Sequence, residues 1–350
     1  MTVLNAGDSA LVRTIFSPPR ARRPWSLGDV LPPGVTTYYS LGRWALVEAL
    51  RMHGIGPGDR VLIPALICRD VLAAISQVGA TADFYPVSRQ LCPATLEPAA
   101  GTRAVLAVNY FGFPQDLRPF RELCARTGAA LIEDNAHGLF SRDRHGAWLG
   151  GRADAGIFSF RKTIAVPDGG ALVVGPGAPP AERVTPARRL AIRYHAKQAI
   201  RRVAGRVDPV RTIGAIAAVQ RVRRSLHAEA PPSHRDAETR IPHAASPPAT
   251  IMNRIAVADP ELESQRRRAL YRLSRQILDS AGVGTVFPDL PEHVAPYGCP
   301  LLAPAGDVAA IAAHLARHGM PLVPWPDLPT AIASSAPDHY RQLMVVPFLW

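Results

Sequence analysis

Short apolar runs ending at turn residues punctuate the first half of the chain, at positions 61–64, 82–85, 104–110, 129–134, 155–160 and 171–174. Runs of this length bounded by turn residues read as buried β-strands, because a buried helix would occupy a longer segment. Several are separated by stretches with helical periodicity: 43–53 ahead of GIGPGD, 70–77 ahead of VGA and 117–127 ahead of GAA. Such spacing draws one apolar stripe along a helix, and the glycines that follow act as stops. Strand and helix therefore alternate, which predicts an α/β fold: a mostly parallel sheet covered by helices on both faces. Ligands are expected where the carboxyl ends of the strands meet the next loops.

Beyond about position 182 the rhythm changes. An arginine-studded helical stretch over 182–227 includes RRLAIRYHAKQAIRRVAGR, and a segment rich in Pro, Ala and His, APPSHRDAETRIPHAASPPAT, follows it as a linker or crossing loop. The remainder begins with a helix around ESQRRRALYRLSRQIL and continues through DVAAIAAHLARHGMPLVPW, which reads as helix then strand. The expected division is a large domain over 1–240 and a smaller C-terminal α+β domain over 241–350.

Composition narrows the picture only a little. With 47% hydrophobic and 19% charged residues the 350-residue chain is that of a packed globular protein, and no apolar run approaches the length of a membrane span. No secretory signal is evident at the start, so a cytoplasmic location and no membrane partner are expected. The cysteines, Cys68, Cys92, Cys124 and Cys299, are scattered without metal-ligand spacing, so no metal site is expected. A net charge of +12 suits anionic ligands, but no nucleic-acid motif accompanies it, so nucleic acid is not an expected partner.

Two segments carry chemistry. ALIEDNAHG places Asp134 and His137 just past an apolar strand, and AGIFSFRKTIAVPDGGALVV places Lys162 just past another, on the same edge of the sheet. Alone, a lysine after a strand is ordinarily a surface residue. Paired with a carboxylate at one sheet edge, it has the two groups that pyridoxal 5'-phosphate needs: an amine for a Schiff base and an anion to keep the pyridine nitrogen protonated. His137 falls near enough to touch the cofactor ring, and Ser159 is a hydroxyl donor for the phosphate. Upstream, YYSLGRWALVEAL sets Gly42 and Arg43 at a helix start, where backbone N–H groups bind anions.

These motifs, in this order, resemble the DegT/DnrJ/StrS family of pyridoxal-phosphate sugar aminotransferases, which have the aspartate-aminotransferase fold. SLGRWAL is similar to the family's phosphate turn, GIGPGDRVLIPAL to the Gly-Asp-x-Val-x-x-Pro element, and VNYFGFPQDL to the Gly-x-Pro-x-Asp loop. EDNAH matches the Glu-Asp-x-Ala-Gln/His motif, SFRK the lysine motif and PDGGALVV the turn after it. The resemblance implies a seven-stranded-type sheet, Lys162 as the Schiff-base lysine, Asp134 as pyridinium partner, His137 as ring contact, and Ser159 with the Gly42–Arg43 turn as phosphate site. It further implies a homodimer with shared active sites, the borrowed asparagine lying about Asn253 and Arg254. The implied reaction moves an amino group from an amino acid, glutamate being the expected donor, to a keto group of a nucleotide-linked sugar or related cyclic substrate.

Two departures stand out. Ser159 lies only three residues before Lys162, closer than in the family pattern, so the turn joining them must be tighter. Cys68 occupies the place of the aromatic residue often stacked on the ring, and Tyr110 or Phe111 is the candidate substitute. Two other readings stay open: a different pyridoxal-phosphate reaction on the same scaffold, or a degenerate, non-enzymatic family member. Retention of Lys162 counts against the family's dehydratases, where a histidine replaces it, and retention of Lys162 with Asp134 counts against the second.

Overall fold

The computed structural model describes residues 5–176 and 259–349. Between them it describes 236–242, 244–247 and isolated positions at 185, 196, 199, 200, 203 and 249. The 182–227 basic stretch, isolated positions apart, and the Asn253–Arg254 segment lie outside the described residues.

Seven strands form the large sheet: β1 (Val35–Tyr39), β2 (Arg60–Pro64), β3 (Thr81–Tyr85), β4 (Thr102–Val108), β5 (Ala130–Asp134), β6 (Ala155–Ser159) and β7 (Gly170–Val174). Their spatial order is β1-β7-β6-β5-β4-β2-β3. Parallel pairing links β6, β5, β4, β2 and β3, and β7 runs antiparallel to both of its neighbours. The central strands are buried almost throughout, consistent with helices on both faces, and this explains why they read as continuous apolar runs rather than alternating ones.

Helix α1 (Ala6–Arg13) precedes the sheet, and α2 (Gly42–Met52), α3 (Leu72–Gln77) and α4 (Arg118–Thr127) connect its strands. In α4 the chain enters with Pro119 in the first turn and leaves through Gly128, whose φ of 70° supplies the left-handed cap that side chains with a Cβ resist. Helix α2 buries Ala45, Leu46, Val47, Ala49 and Leu50 and packs against β6 and β7. Close approach is possible there because glycines face each other. A Cβ on Gly170 would lie 2.5 Å from the nitrogen of Gly42, and one on Gly42 would lie 2.8 Å from the carbonyl oxygen of Phe158. The start of α2 is thereby pressed onto the ends of β6 and β7.

The C-terminal part opens with α5 (Pro260–Asp279), capped by Asp259, whose carboxylate accepts from the N–H groups of Glu261 and Leu262. It continues with β8 (Gly298–Leu302), α6 (Val308–Arg317), β9 (Val323–Pro324), the short helices α7 (Thr330–Ala333) and α8 (Asp338–Arg341), and β10 (Leu343–Pro347). A three-stranded antiparallel sheet runs β8-β10-β9. The main apolar core spans both sheets. A smaller cluster, with Trp25, Phe140, Phe158, Phe160, Ile164 and Val166, lies around the loop after β6. Phe160, fully buried in it, anchors that loop by about 1.5–3 kcal/mol of side-chain burial.

Candidate active site

Three chain segments meet at the carboxyl edge of the large sheet: the end of β5, the end of β6 and the start of α2. Strand β5 delivers Asp134 as its last residue. Strand β6 ends at Ser159 and passes into a single 3-10 turn, Phe160–Lys162. This is the tight turn that the short Ser159-to-Lys162 spacing demands. Register with β7 sets Ser159 opposite Gly170, and β1 sets Tyr39 opposite the same glycine, which brings the α2 start alongside.

A cavity of about 110 Å³ lies among these segments, lined by Gly42, Arg43, Cys68, Asp134, Ser159, Arg161 and Lys162 among others. A smaller one of about 30 Å³ continues from it past Asp134 and Lys162 to His137, Asn109 and Trp325. Five of the six residues singled out from the sequence, Lys162, Asp134, Ser159, Gly42 and Arg43, therefore line one cavity, and His137 lines its extension. A larger cavity of about 600 Å³, around Asp116, Arg118, Arg144 and Arg152, contains none of them.

Asp134 is buried, and its Oδ1 accepts from the N–H of Ala136 at 2.9 Å. Burial raises its pKa, and both Lys162 and the Ala136 N–H oppose that rise. Lys162 Nζ lies 3.1 Å from His137 Nε2. The other ring nitrogen, Nδ1, accepts from the N–H of Phe111 at 3.2 Å, so in the neutral ring the hydrogen lies on Nε2 and faces Lys162. Burial holds His137 well below the usual histidine range, with Lys162 and then Arg267 adding to the effect. The tautomer and orientation of His137 are thus set by the backbone at Phe111, where φ is 55°, a left-handed conformation that costs a non-glycine residue energy.

Aromatic rings complete the enclosure. Tyr297 stacks on His137 with centroids 4.4 Å apart and planes at 9°, while Phe111 and Trp325 flank the same ring at 5.6 Å each. Phe111 is therefore beside the site, whereas the Tyr110 hydroxyl is committed to the carbonyl of Leu66. Tyr297 and Trp325 come from the C-terminal part, where no motif marked them. Arg161 was also missed: it lines the cavity next to Lys162 and lies close enough to Arg43 to oppose its charge. Arg43 in turn pairs with Asp70 at 3.4 Å.

These residues fit pyridoxal phosphate on their own chemistry. A buried carboxylate and an amine line one cavity together with the start of α2, where Leu41 supplies no side-chain cap and the guanidinium groups of Arg43 and Arg161 also line the space.

The fold is that of the pyridoxal-phosphate aminotransferases. DesV of S. venezuelae, solved in complex with a ketimine intermediate, superposes with a TM-score of 0.57 at 23% identity, covering 98% of this chain and 89% of that one. PseC of Helicobacter pylori, an aminotransferase involved in the biosynthesis of pseudoaminic acid, gives 0.59 at 15% identity, covering 99% and 91%. By sequence, residues 37–221 match the DegT/DnrJ/EryC1/StrS aminotransferase family, and the chain belongs to that family. The erythromycin biosynthesis sensory transduction protein EryC1 of Saccharopolyspora erythraea is 37% identical over 162 residues, 44% of this chain and 43% of that protein. The dTDP-3-amino-3,4,6-trideoxy-alpha-D-glucose transaminase of Streptomyces venezuelae is 37% identical over 146 residues, 38% of this chain and 37% of that one. The chain thus matches less than half the length of either relative.

Proposed function

We propose that this protein is a pyridoxal-phosphate-dependent aminotransferase that moves an amino group from an amino acid, glutamate in the first instance, to a keto group of a nucleotide-linked sugar or related cyclic acceptor. The observation that carries this reading is the cavity shared by Lys162, Asp134 and the uncapped start of α2. When bound, the cofactor supplies an aldehyde that links covalently to an amine and a ring that withdraws electrons from the carbon beside that amine.

The chain's own residues divide the remaining work. Lys162 would be the amine that holds the cofactor, and its Nζ, when free, would accept and return a proton. Asp134, held in place by the Ala136 N–H, would keep a proton on the cofactor's ring nitrogen, and its enclosure would strengthen that interaction by excluding water. His137 orients the Lys162 amine from one side. The N–H groups of Gly42 and Arg43, with Ser159 and Arg161, hold the phosphate. Support for a nucleotide link in the acceptor comes from the family resemblance and from the dTDP-sugar transaminase of Streptomyces venezuelae to which part of the chain is similar. We assign residues 1–240 to the cofactor-binding unit and 241–350 to a smaller unit that contributes Tyr297 and Trp325, and we place the working protein in the cytoplasm as a homodimer.

Loading with cofactor and adding L-glutamate without any sugar should yield 2-oxoglutarate and the pyridoxamine form, because transamination proceeds in two separable halves. Asp134→Asn should retain cofactor and lose most of that conversion. If glutamate, glutamine, aspartate and alanine all leave a loaded enzyme unchanged, another reaction on the same scaffold replaces this one.

A further inference from the structure

Helix α5 carries two adjacent buried arginines with different addresses. Both pair with Glu263, itself buried: Arg266 Nη2 donates to it at 2.6 Å and Arg267 Nε at 2.7 Å. Arg266 also donates to Glu263 through Nε at 2.7 Å, and its Nη1 and Nη2 reach Thr14 and the carbonyl of Phe348. Arg267 turns instead toward the candidate active site. Its Nη2 donates to the carbonyl of Thr163 at 2.7 Å, and its Nη1 to the carbonyls of Pro296 at 3.1 Å and Tyr297 at 3.3 Å.

Each of those carbonyls belongs to a segment that fixes Lys162. Thr163 follows it directly in the chain, at the end of the turn that presents the amine. Tyr297 stacks on His137, whose Nε2 meets the amine at 3.1 Å, and the Tyr297 N–H donates to the carbonyl of Phe111, whose own N–H holds His137 Nδ1. One guanidinium therefore closes a ring of contacts: turn, stack and helix. Arg267 is wholly enclosed, and burying a charge costs desolvation that an aliphatic side chain would avoid, so the helix could pack there without it. What an aliphatic residue lacks is the planar fork of donors that reaches a carboxylate and separate carbonyls at once.

We infer that Arg267 is a positioning residue of the Lys162 site, setting where the amine lies by tying the Thr163 and Tyr297 carbonyls to helix α5. The C-terminal part of the chain thereby acts on the cofactor lysine without touching it. This rests on the reading of Lys162 as the cofactor-bearing residue.

The two arginines provide the test, since they share a helix, a carboxylate and burial but differ in what they hold. Full-length protein freed of cofactor is mixed with pyridoxal phosphate, quenched with borohydride at intervals across neutral to alkaline pH, and the reduced adduct at Lys162 is quantified by peptide mass spectrometry. The thermal midpoint of every variant is recorded alongside. Arg267→Lys keeps the charge and reaches Glu263 but not all the carbonyls; it should slow labelling about tenfold, the scale expected of a small misplacement of a reacting group. Arg266→Lys should lower the thermal midpoint comparably while leaving the labelling rate within about twofold. The harsher Arg267→Gln extends the comparison if it folds, and the two lysine variants carry it if it does not. Equal slowing in both lysine variants, or wild-type labelling in Arg267→Lys, overturns the inference while leaving the cofactor reading intact. A wild type that is never labelled at Lys162 overturns both.

Discussion

His137 is neutral because it is buried among Phe111, Tyr297 and Trp325, and this has a consequence for stability. The unfolded chain protonates that histidine below about pH 6.5, whereas the folded one does not until the pH is far lower. In that window the unfolded state binds the extra proton, so folding stability falls as the pH falls, by up to about 1.4 kcal/mol per pH unit. Asp134 works in the opposite sense at lower pH: its raised pKa lets the folded state take up a proton first, which favours folding on acidification. In the cofactor-free protein, His137→Gln should therefore flatten the decline in thermal midpoint between about pH 6.5 and 5. A decline as steep as in wild type would mean that His137 is not the group responsible. At this scale the sequence pointed to Lys162, Asp134 and His137 as neighbours, because Asp134 closes an apolar run and His137 and Lys162 lie two or three residues past one. Tyr297, Trp325 and Arg267 were not legible, since nothing local in PYGC, VPWP or QRRRAL says which residues the fold will bring to a distant sheet edge.

Among the elements, the junction of α2 with β6 and β7 depends on side chains that are absent. Gly170→Ala would set a Cβ 2.5 Å from the Gly42 nitrogen and 2.6 Å from the Leu41 carbonyl carbon, both backbone atoms that cannot rotate away. The α2 start must then lift off the sheet, with a loss on the scale of an overpacked core, about 1–3 kcal/mol. Cofactor affinity should drop with it, because the N–H groups proposed to hold the phosphate move too; equilibrium binding and urea unfolding measured together check this, and unchanged affinity would argue that α2 does not hold the phosphate. The apolar runs at 61–64, 82–85, 104–110, 129–134, 155–160 and 171–174 all fall on strands β2 to β7. The run at 104–110 overshoots because β4 ends at Val108, where the chain turns through Asn109 to place Phe111. Strand β1, VTTYY, escaped because it is a half-buried strand at the sheet edge with two threonines and no apolar run. In the C-terminal part, β8 accommodates Pro300 because it is an edge strand of its sheet.

For the whole molecule, the resemblance of ordered motifs to a family carried more than periodicity alone, because it named the sheet's size, seven strands. Among the described residues no helix is long and apolar enough to cross a membrane. Light scattering should give twice the 37.6 kDa chain mass, and an active species of single chain mass would contradict the homodimer. The central claim is that Lys162 carries the cofactor and surrenders it to an amino-acid donor. Its most direct measurement is borohydride reduction of the loaded protein followed by peptide mapping, with and without prior L-glutamate. A reduced adduct on Lys162 that disappears after glutamate, as 2-oxoglutarate forms, is the expected result. An adduct on any other lysine, or no adduct at all, would contradict it.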